Sequence, residues 1–365
     1  MQFMTNHVYD IAVIGAGAAG SMGALRAVLN NLDTLIFEGS AQNKKSARAT
    51  WVGKVENMPV LFDRPKAVFS SSKEVFDWIQ KQEQWSSLLQ REKDGVTHIE
   101  KITTEESFYF KLNSEKGKDF YARYVLICTG IMDKQPEIGG SISPIFPMAN
   151  EGHIEYCIRC DGHKSKGKKT VVIGHQETAA WVASLLYERY RNPAMTILTN
   201  GNPVEIDKSS EVLNRLRCYK IGYEEEPIVE ILGDPKNSLK GFQLKSGKVV
   251  EAEMAFVSLG TIVHNQLAKD LECQIDERGY VETDASGESS VSGVFIGGDL
   301  RANKKKQIYT AWDITVDAVD KIDSYIRQMR REVELPDCSN KPVIEKVGDL
   351  FGEILTPSEW RAQKF

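Results

Sequence analysis

Long apolar runs are missing from this 365-residue chain. No stretch approaches the roughly 18 uninterrupted hydrophobic residues that a membrane-spanning helix needs. The opening segment, Met1 to Asp10, has no basic cluster ahead of an apolar block and runs directly into a strand, which argues against a cleaved secretory signal. An excess of charge of one sign is also lacking. Forty-six Lys and Arg face 51 Asp and Glu, a net charge of -5, and such a balance gives no reason to expect nucleic acid or a membrane surface as partner. Cysteine is scarce: six in 365 residues is too few for a disulfide scaffold. What remains, 41% hydrophobic and 27% charged residues, is the composition of an ordinary globular chain, long enough for two domains.

Four of the six cysteines stand apart. Cys128 follows the apolar run Val125-Leu126-Ile127 and is expected to be a small core residue, while Cys218, Cys273 and Cys338 have no cysteine nearby. Cys157 and Cys160 are different. Two thiols three positions apart close a small disulfide ring with little backbone movement, and a single such pair suits a catalytic couple in a reducing compartment, the cytoplasm. The pair sits in Cys157-Ile158-Arg159-Cys160-Asp161-Gly162. Arg159 should favour thiolate by its charge. Zinc is the competing use of such a pair. His163 offers a third ligand, but no second cysteine pair follows, so no metal is expected.

Near the N-terminus, Tyr9 to Ile14 reads as a strand that ends in Gly15-Ala16-Gly17-Ala18-Ala19-Gly20. A helix-like stretch, Ala18 to Leu29, leads to a second strand, Thr34 to Phe37, and then Glu38. This is the strand, glycine loop, helix, strand and acid of a dinucleotide site. Gly15 permits the tight turn, Gly17 lets the backbone approach a pyrophosphate, and Gly20 lets the helix pack closely on the strand. The helix start then faces the phosphates, and Glu38 can accept from a ribose hydroxyl. Two later strands end in backbone-exposing residues: Val125 to Cys128 before Thr129-Gly130, and Gly293 to Ile296 before Gly297-Gly298-Asp299. A helix is expected from Gln307 to Met329, with Ile308, Ala311, Thr315, Ala318, Ile322, Ile326 and Met329 on one face.

With Val55-Glu56-Asn57-Met58-Pro59 and Gln307-Ile308 added in order and spacing, the chain resembles the low-molecular-weight thioredoxin reductase family of flavoenzymes over about residues 8 to 330. The resemblance implies an α/β fold of two Rossmann-like nucleotide-binding domains, the second inserted in the first. The FAD domain would comprise residues 1-131 and 261-330, the inserted domain with the cysteine pair 132-260, and a C-terminal extension 331-365. It implies one FAD per chain held by Gly15, Gly17, Ala18, Ala19, Gly20, Glu38, Thr129 and Gly130, with Asn57 beside the flavin ring and Gly298, Asp299, Gln307 and Ile308 at the ribityl and ring edges. It also implies that Cys160 is the flavin-side thiol, that Cys157 attacks the disulfide of a thioredoxin-like protein or small dithiol, and that Asp161 handles the proton. A homodimer is the implied assembly.

The family's second nucleotide site is eroded here. The strand Lys169 to Ile173 opens into Gly174-His175-Gln176-Glu177-Thr178-Ala179, so a side chain, Gln176, replaces the glycine that lets a pyrophosphate approach. The next strand, Ala194 to Leu198, ends in Thr199-Asn200-Gly201 where the family places cations for a 2′-phosphate, and the first basic side chain after it is Lys208. NADPH is therefore not expected to bind in the usual way. Ferredoxin or a second flavin nucleotide is expected in its stead. Lys164, Lys166, Lys168 and Lys169, or Lys304-Lys305-Lys306, could dock an acidic ferredoxin. His175, Gln176 and Trp181 could hold a nucleotide or merely fill space.

Other segments leave alternatives open. Trp312 stands where the family has a small residue and either fills a helix face or crowds the ring. Trp360 or Phe365 in the tail either covers a flavin or packs elsewhere, as does Leu350-Phe351. Ser70-Ser71-Ser72 looks like a helix N-cap region, Lys236 to Gly247 a hairpin, and Glu224-Glu225-Glu226 a solvated loop. The expected function is FAD-dependent disulfide exchange without ordinary use of NADPH. Two alternatives stand beside it, an NADPH-dependent reductase with a divergent site and a flavin-binding redox sensor without turnover.

Overall fold

Short β-branched runs that are buried on both faces need cover on both sides, and the computed structural model places them at the centres of two parallel sheets. It describes residues 7-334 apart from 63, 106 and 304. The tail residues Cys338, Leu350, Phe351, Trp360 and Phe365, and Lys304, lie outside the described residues. The chain divides into two compact units, one to Asp323 and one from Ser324. The second is described as far as Glu334, where the helix Ile308–Glu334 ends.

The first sheet has seven strands. Val8–Ile14 lies between Thr34–Phe37 and Asp119–Ile127, parallel to both. Leu89–Glu92 adds beyond Thr34–Phe37, and Val294–Ile296 adds in parallel to the end of Asp119–Ile127. Phe108–Ser114 and Val96–Thr103 continue the sheet as an antiparallel pair. The register brings Ile14 level with Phe37 and Ile127, and Ile127 level with Ile296. The segments that follow these residues, from Gly15, Glu38, Cys128 and Gly297, therefore emerge together at the carboxyl edge of the sheet, where open α/β sheets bind ligands.

Two helices reach this sheet closely. Ala18–Leu29 buries Ala19, Gly20, Ser21, Gly23, Ala24, Ala27 and Val28, a stripe of small residues that lets the helix axis approach. In the final helix Ala311, Thr315, Ala318 and Ile322 are buried, on the face that the sequence periodicity marks. The bidentate pair of Arg26 with Asp320, at 2.6 and 2.9 Å, ties the two helices.

The second sheet has five strands in the order Gly222–Glu224, Met195–Leu198, Thr170–Ile173, Met254–Val257 and Ile154–Glu155, all parallel. Its strands come from between the two halves of the first, as the expected insertion requires. Ile131–Asp133 and Thr261–Val263, which form a short antiparallel ribbon, flank it in sequence.

Two local expectations are corrected. The serines 70-72 do not cap a helix. The helix Ala67–Lys81 starts earlier, from Lys66 at φ +47°. Inside it, Ser70 and Ser71 donate to the carbonyls of Ala67 and Val68, while buried Ser72 meets Ser21 Oγ at 3.2 Å. Burial of Ala67 extends the helix past the polar signal. Residues 236-247 are not a self-contained hairpin. Ser238–Leu244 is the middle strand of a three-stranded antiparallel sheet, between Ile228–Asp234 and Val249–Glu251. Its buried Leu239, Phe242 and Leu244 join the core beneath the second parallel sheet. Of the acidic triplet, Glu224 pairs with Lys248 at 2.6 Å and Glu226 accepts from Ser246.

Candidate active site: a redox disulfide in the wall of a glycine-loop cavity

The glycine loop is shaped by its neighbours. Gly15 has φ +103°, and a Cβ there would sit 2.6 Å from the Cys128 carbonyl oxygen. A Cβ at Gly20 would sit 1.7 Å from the Gly15 oxygen, so Gly20 serves the seating of the helix on the loop. Gly17 begins the helix Ala18–Leu29 with no side-chain cap and no acid in the first turn, and a Cβ on it would meet nothing within 4 Å. The helix start, Gly17, Ala18 and Ala19, borders open space, the arrangement that receives a phosphate.

That space is a cavity of about 640 Å³. Gly15, Gly17, Ala18, Ala19, Glu38, Asn57, Thr129, Gly130, Asp161, Gly298, Asp299, Gln307, Ile308 and both Cys157 and Cys160 line it. Among the expected site residues only Gly20 lies outside the lining, in keeping with its packing role. The glycine-lined helix start at one end, and the polar wall of Asn57, Asp299 and Gln307 at another, fit an extended nucleotide such as FAD.

Several wall residues have partners that the sequence did not reveal. Glu38 accepts from Arg91 Nε at 2.8 Å and lies 3.7 Å from Lys44 Nζ. Arg48 donates through Nε and Nη2 to Asp133 at 2.8 and 3.1 Å, and its Nη1 is 3.5 Å from Asp299. Burial pushes both carboxyls up against the pull of Arg48. Their combined charge more than offsets the burial of Arg48 and holds its guanidinium above its ordinary value. Thr129 Oγ1 donates to the His264 carbonyl at 2.6 Å, and His264 Nε2 meets the Ser46 carbonyl at 2.9 Å. Burial pushes the Cys128 thiol up to about 12, which suits an inert core residue. Trp312 packs on the cluster of Val55, Met58, Leu61 and Ala67 rather than lining the cavity, so its helix-face reading is the one the packing favours.

Cys157 and Cys160 are joined as a disulfide. Gln307 touches both ends of it: its Oε1 is 3.4 Å from Cys160 Sγ and its Nε2 is 3.5 Å from Cys157 Sγ. Asn57 Nδ2 donates to the same Oε1 at 2.7 Å and fixes the amide. Cys157 precedes the short helix Ile158–Asp161, and its sulfur accepts from the Cys160 N–H at 3.2 Å, a contact that favours thiolate when the pair is reduced. Arg159 points into solvent, an exposed residue. Asp161 is buried and lies 2.9 Å from Lys164 Nζ, which also donates to Glu155 at 2.7 Å. His163 bonds to Glu56 at 2.7 Å rather than to a thiol.

The lysine clusters are less free than the sequence implies. Lys164 is committed to Glu155 and Asp161, Lys169 to Glu251, and Lys306 lies 3.8 Å over the Tyr280 ring, where burial pushes its ammonium down to about 8. Lys166 and Lys305 are exposed and Lys168 half-buried.

At the second glycine loop, Gln176 forms the start of the helix Glu177–Tyr190 and donates to Glu205 at 3.3 Å. The Glu205 N–H bonds the His175 carbonyl at 2.8 Å and draws a loop across the strand end. Glu177 accepts from Ser210 at 2.7 Å and from Trp181 Nε1 at 3.1 Å, with the Arg215 guanidinium 5.0 Å over the indole. Asn200, at φ +54°, donates to the Glu137 carbonyl at 2.8 Å and accepts from the Ile228 N–H at 2.7 Å.

Comparison with known proteins agrees with this geometry. The family model described as pyridine nucleotide-disulphide oxidoreductase matches residues 9–315. A "34.2 kDa protein in rubredoxin operon" of Clostridium pasteurianum is 28% identical over 83% of this chain and 92% of its own. A thioredoxin reductase of Helicobacter pylori is 25% identical over 87% of this chain and 98% of its own. The crystal structure of thioredoxin reductase from Streptococcus pyogenes shares the fold, with a TM-score of 0.75 at 22% identity over 89% of this chain and 100% of that one. A disulfide set against a nucleotide cavity, on a fold matched along nearly its whole length, places the chain in the pyridine nucleotide-disulphide oxidoreductase family as a thioredoxin reductase-like, flavin-dependent disulfide oxidoreductase.

Proposed function

We propose that the protein passes electrons between FAD, the Cys157/Cys160 pair and a thioredoxin-like protein or small dithiol, and that NADPH is not its ordinary electron source. The observation that carries the first half is the disulfide's position in the wall of the cavity that the glycine loop opens. Bound there, FAD supplies two-electron exchange with the disulfide. Gly15, Gly17, Ala18 and Ala19 would receive its pyrophosphate and Glu38 its adenosine ribose. Asn57, Thr129, Gly130, Gly298, Asp299, Gln307 and Ile308 would line the flavin end. Gln307, in contact with both sulfurs and anchored by Asn57, positions the pair toward the cavity. The Cys160 N–H stabilises Cys157 as thiolate, which suits Cys157 for attack on the partner's disulfide and leaves Cys160 as the flavin-side thiol. Residues 1-131 and 261-330 would form the FAD domain and 132-260 the inserted one.

The second half rests on the second glycine loop. On this reading Gln176 stands in the approach that a pyrophosphate needs, with Glu205 hydrogen-bonded to it, Glu177 next in sequence and Asp207 close to Glu177, all negatively charged. Asn200 is spent on two backbone hydrogen bonds where a cation would be required. An anionic dinucleotide meets neither shape nor charge there. A ferredoxin-type protein, with Lys166, Lys168 and Lys305 among the described lysines available for docking, or a second flavin nucleotide held in another pose beside His175, Gln176 and Trp181, would supply electrons instead.

Anaerobic mixing decides this. Purified protein should carry flavin, and micromolar NADPH should leave the flavin absorbance unchanged while dithionite bleaches it. Rapid bleaching by NADPH would overturn the NADPH-independent reading. Two flavins per chain would support the second nucleotide, and reduction by reduced ferredoxin would support the protein donor. Failure of the reduced enzyme to reduce any disulfide would leave a redox sensor.

A further inference from the structure

The surroundings of the disulfide hold more acid than base. Lys164 Nζ lies 2.7 Å from Glu155, 2.9 Å from Asp161 and 3.8 Å from Glu56. Glu155 and Asp161 are only 5% and 4% exposed, and both line the cavity with the two cysteines. One ammonium neutralises one carboxylate. A second carboxylate left ionised in the same buried site would cost on the order of several kcal/mol, so the pair retains a proton in preference to a second charge. The Asp161 oxygen at ion-pair distance from Lys164 also has no hydrogen bond of ordinary geometry, which leaves it room for that proton.

The groups facing the cluster agree. Burial pushes both Glu155 and Asp161 up, with the Asp161 charge adding for Glu155 and Lys164 opposing in each case. Burial opposes the charge on Lys164, but the two carboxylates outweigh it and hold the ammonium charged. Burial also opposes the charge on Glu56, yet His163, Lys164 and Lys54 together hold it below its ordinary value. On the remaining side Tyr156 donates to Gln135 at 2.6 Å, with Asp133 beyond it. His163 is exposed and bonds to Glu56 at 2.7 Å, so the chain Lys164, Glu56, His163 leads from the buried pair to solvent.

We propose that Glu155 is a positioning residue for proton transfer: Glu155 and Asp161 share one proton across Lys164, and Asp161 hands it to the sulfur that leaves when the Cys157–Cys160 bond breaks. The proposal rests on the cysteine cycling proposed above. With a small dithiol as reductant, its thiolate attacks one sulfur of the disulfide. A mixed disulfide forms, the Cys157–Cys160 bond breaks, and the departing sulfur takes the bonding electron pair and then the shared proton. The reagent's second thiol loses its proton to solvent and closes the reagent's own disulfide. This frees the other cysteine as thiolate, which takes a proton from solvent. The chain's disulfide gains two electrons and the dithiol loses two. Solvent refills the carboxyl pair through His163 and Glu56.

The test follows reduction of the disulfide in the flavin-loaded protein by dithiothreitol. Free thiols are trapped by rapid alkylation, and the rate is expressed per reagent thiolate across pH. In the wild type that rate falls about tenfold per pH unit above the apparent pKa of the pair. Glu155→Gln leaves one carboxylate against one ammonium, so the fall moves at least about one unit lower, and at pH values above both apparent pKa values the rate drops at least about tenfold. Lys164→Met leaves two carboxylates without a cation, so the fall moves higher. A merely structural role would not shift the two variants in opposite directions. An infrared difference spectrum of the disulfide form between ordinary and heavy water should show a carboxylic acid carbonyl band that Glu155→Gln abolishes. Reversible cycling with the fall unmoved in Glu155→Gln, or with both variants shifted the same way, overturns the inference and leaves the proposed function standing. A cysteine pair that never closes a disulfide overturns both.

Discussion

Gly17, at the cap, and Gly20, in the first turn of the helix Ala18–Leu29, stand three positions apart, and their replacement by alanine should have separable effects. At Gly20 the new Cβ would lie 1.7 Å from the Gly15 carbonyl oxygen and 2.8 Å from its carbon. Both atoms are backbone at the tight turn, so the helix Ala18–Leu29 must retreat from the loop by more than 1 Å. Overpacking of this kind costs about 1–3 kcal/mol, and with backbone on both sides the upper figure applies. Gly20→Ala should lower the urea midpoint by about 1 M and lose flavin as the loop distorts. At Gly17 the backbone, φ −73° and ψ −164°, suits alanine, and no atom lies within 4 Å of the new Cβ. The unfolded chain loses entropy, worth about 0.4–1 kcal/mol in favour of alanine, and the poorer N-cap offsets about as much. Flavin-free Gly17→Ala should therefore unfold within about 0.5 M urea of the wild type. With the pyrophosphate placed on this loop as proposed, the same Cβ would stand in its path, and a steric cost of about 1–3 kcal/mol would weaken flavin binding roughly 5- to 150-fold. Equilibrium dialysis against FAD and urea titration of the flavin-free protein check both. Wild-type flavin affinity in Gly17→Ala would refute the placement of the pyrophosphate on this loop, and an unchanged urea midpoint in Gly20→Ala would refute the packing argument.

Two further variants probe contacts that hold the site and its frame. Arg48→Met strands Asp133 and Asp299, and breaking a buried pair of this kind should cost about 3 kcal/mol at neutral pH. Because burial holds both folded carboxyl pKa values above their unfolded values, the folded variant binds more protons, and the loss should shrink as pH falls toward the acid range. A loss below about 1 kcal/mol, or one independent of pH, would count against the buried clamp. Asn200→Ala removes two backbone hydrogen bonds and places alanine at φ +54°, for a loss of about 2–3 kcal/mol. Asn200→Gly keeps the left-handed turn and should lose about 1–2 kcal/mol. Equal losses in differential calorimetry would show that the turn conformation contributes nothing.

The sequence determined what is local. The strand Thr34–Phe37 and the helix Ala18–Leu29 have the bounds their periodicity implies, because an apolar run ending in glycines specifies its own turn within a few residues. The cysteine pair is legible for the same reason: four consecutive residues suffice to close the ring. Tertiary structure decided what depends on distant partners. Arg48 meets Asp133 across 85 positions and Gln307 meets Cys157 across 150, and no periodicity carries such pairings. Lys164 reads in the sequence as one of a run of lysines, yet the fold half-buries it against Glu155 and Asp161, because the strand Ile154–Glu155 and the turn after the short helix Ile158–Asp161 bring the three groups together and cover them. The serines at 70-72 fail as a cap because burial of Ala67, a tertiary matter, extends the helix beyond the local polar signal. Residue types and short spacings thus fix the chemistry available to this chain, while the crossing of elements far apart in sequence decides which charges are paired, which are buried, and where a proton can rest beside the disulfide.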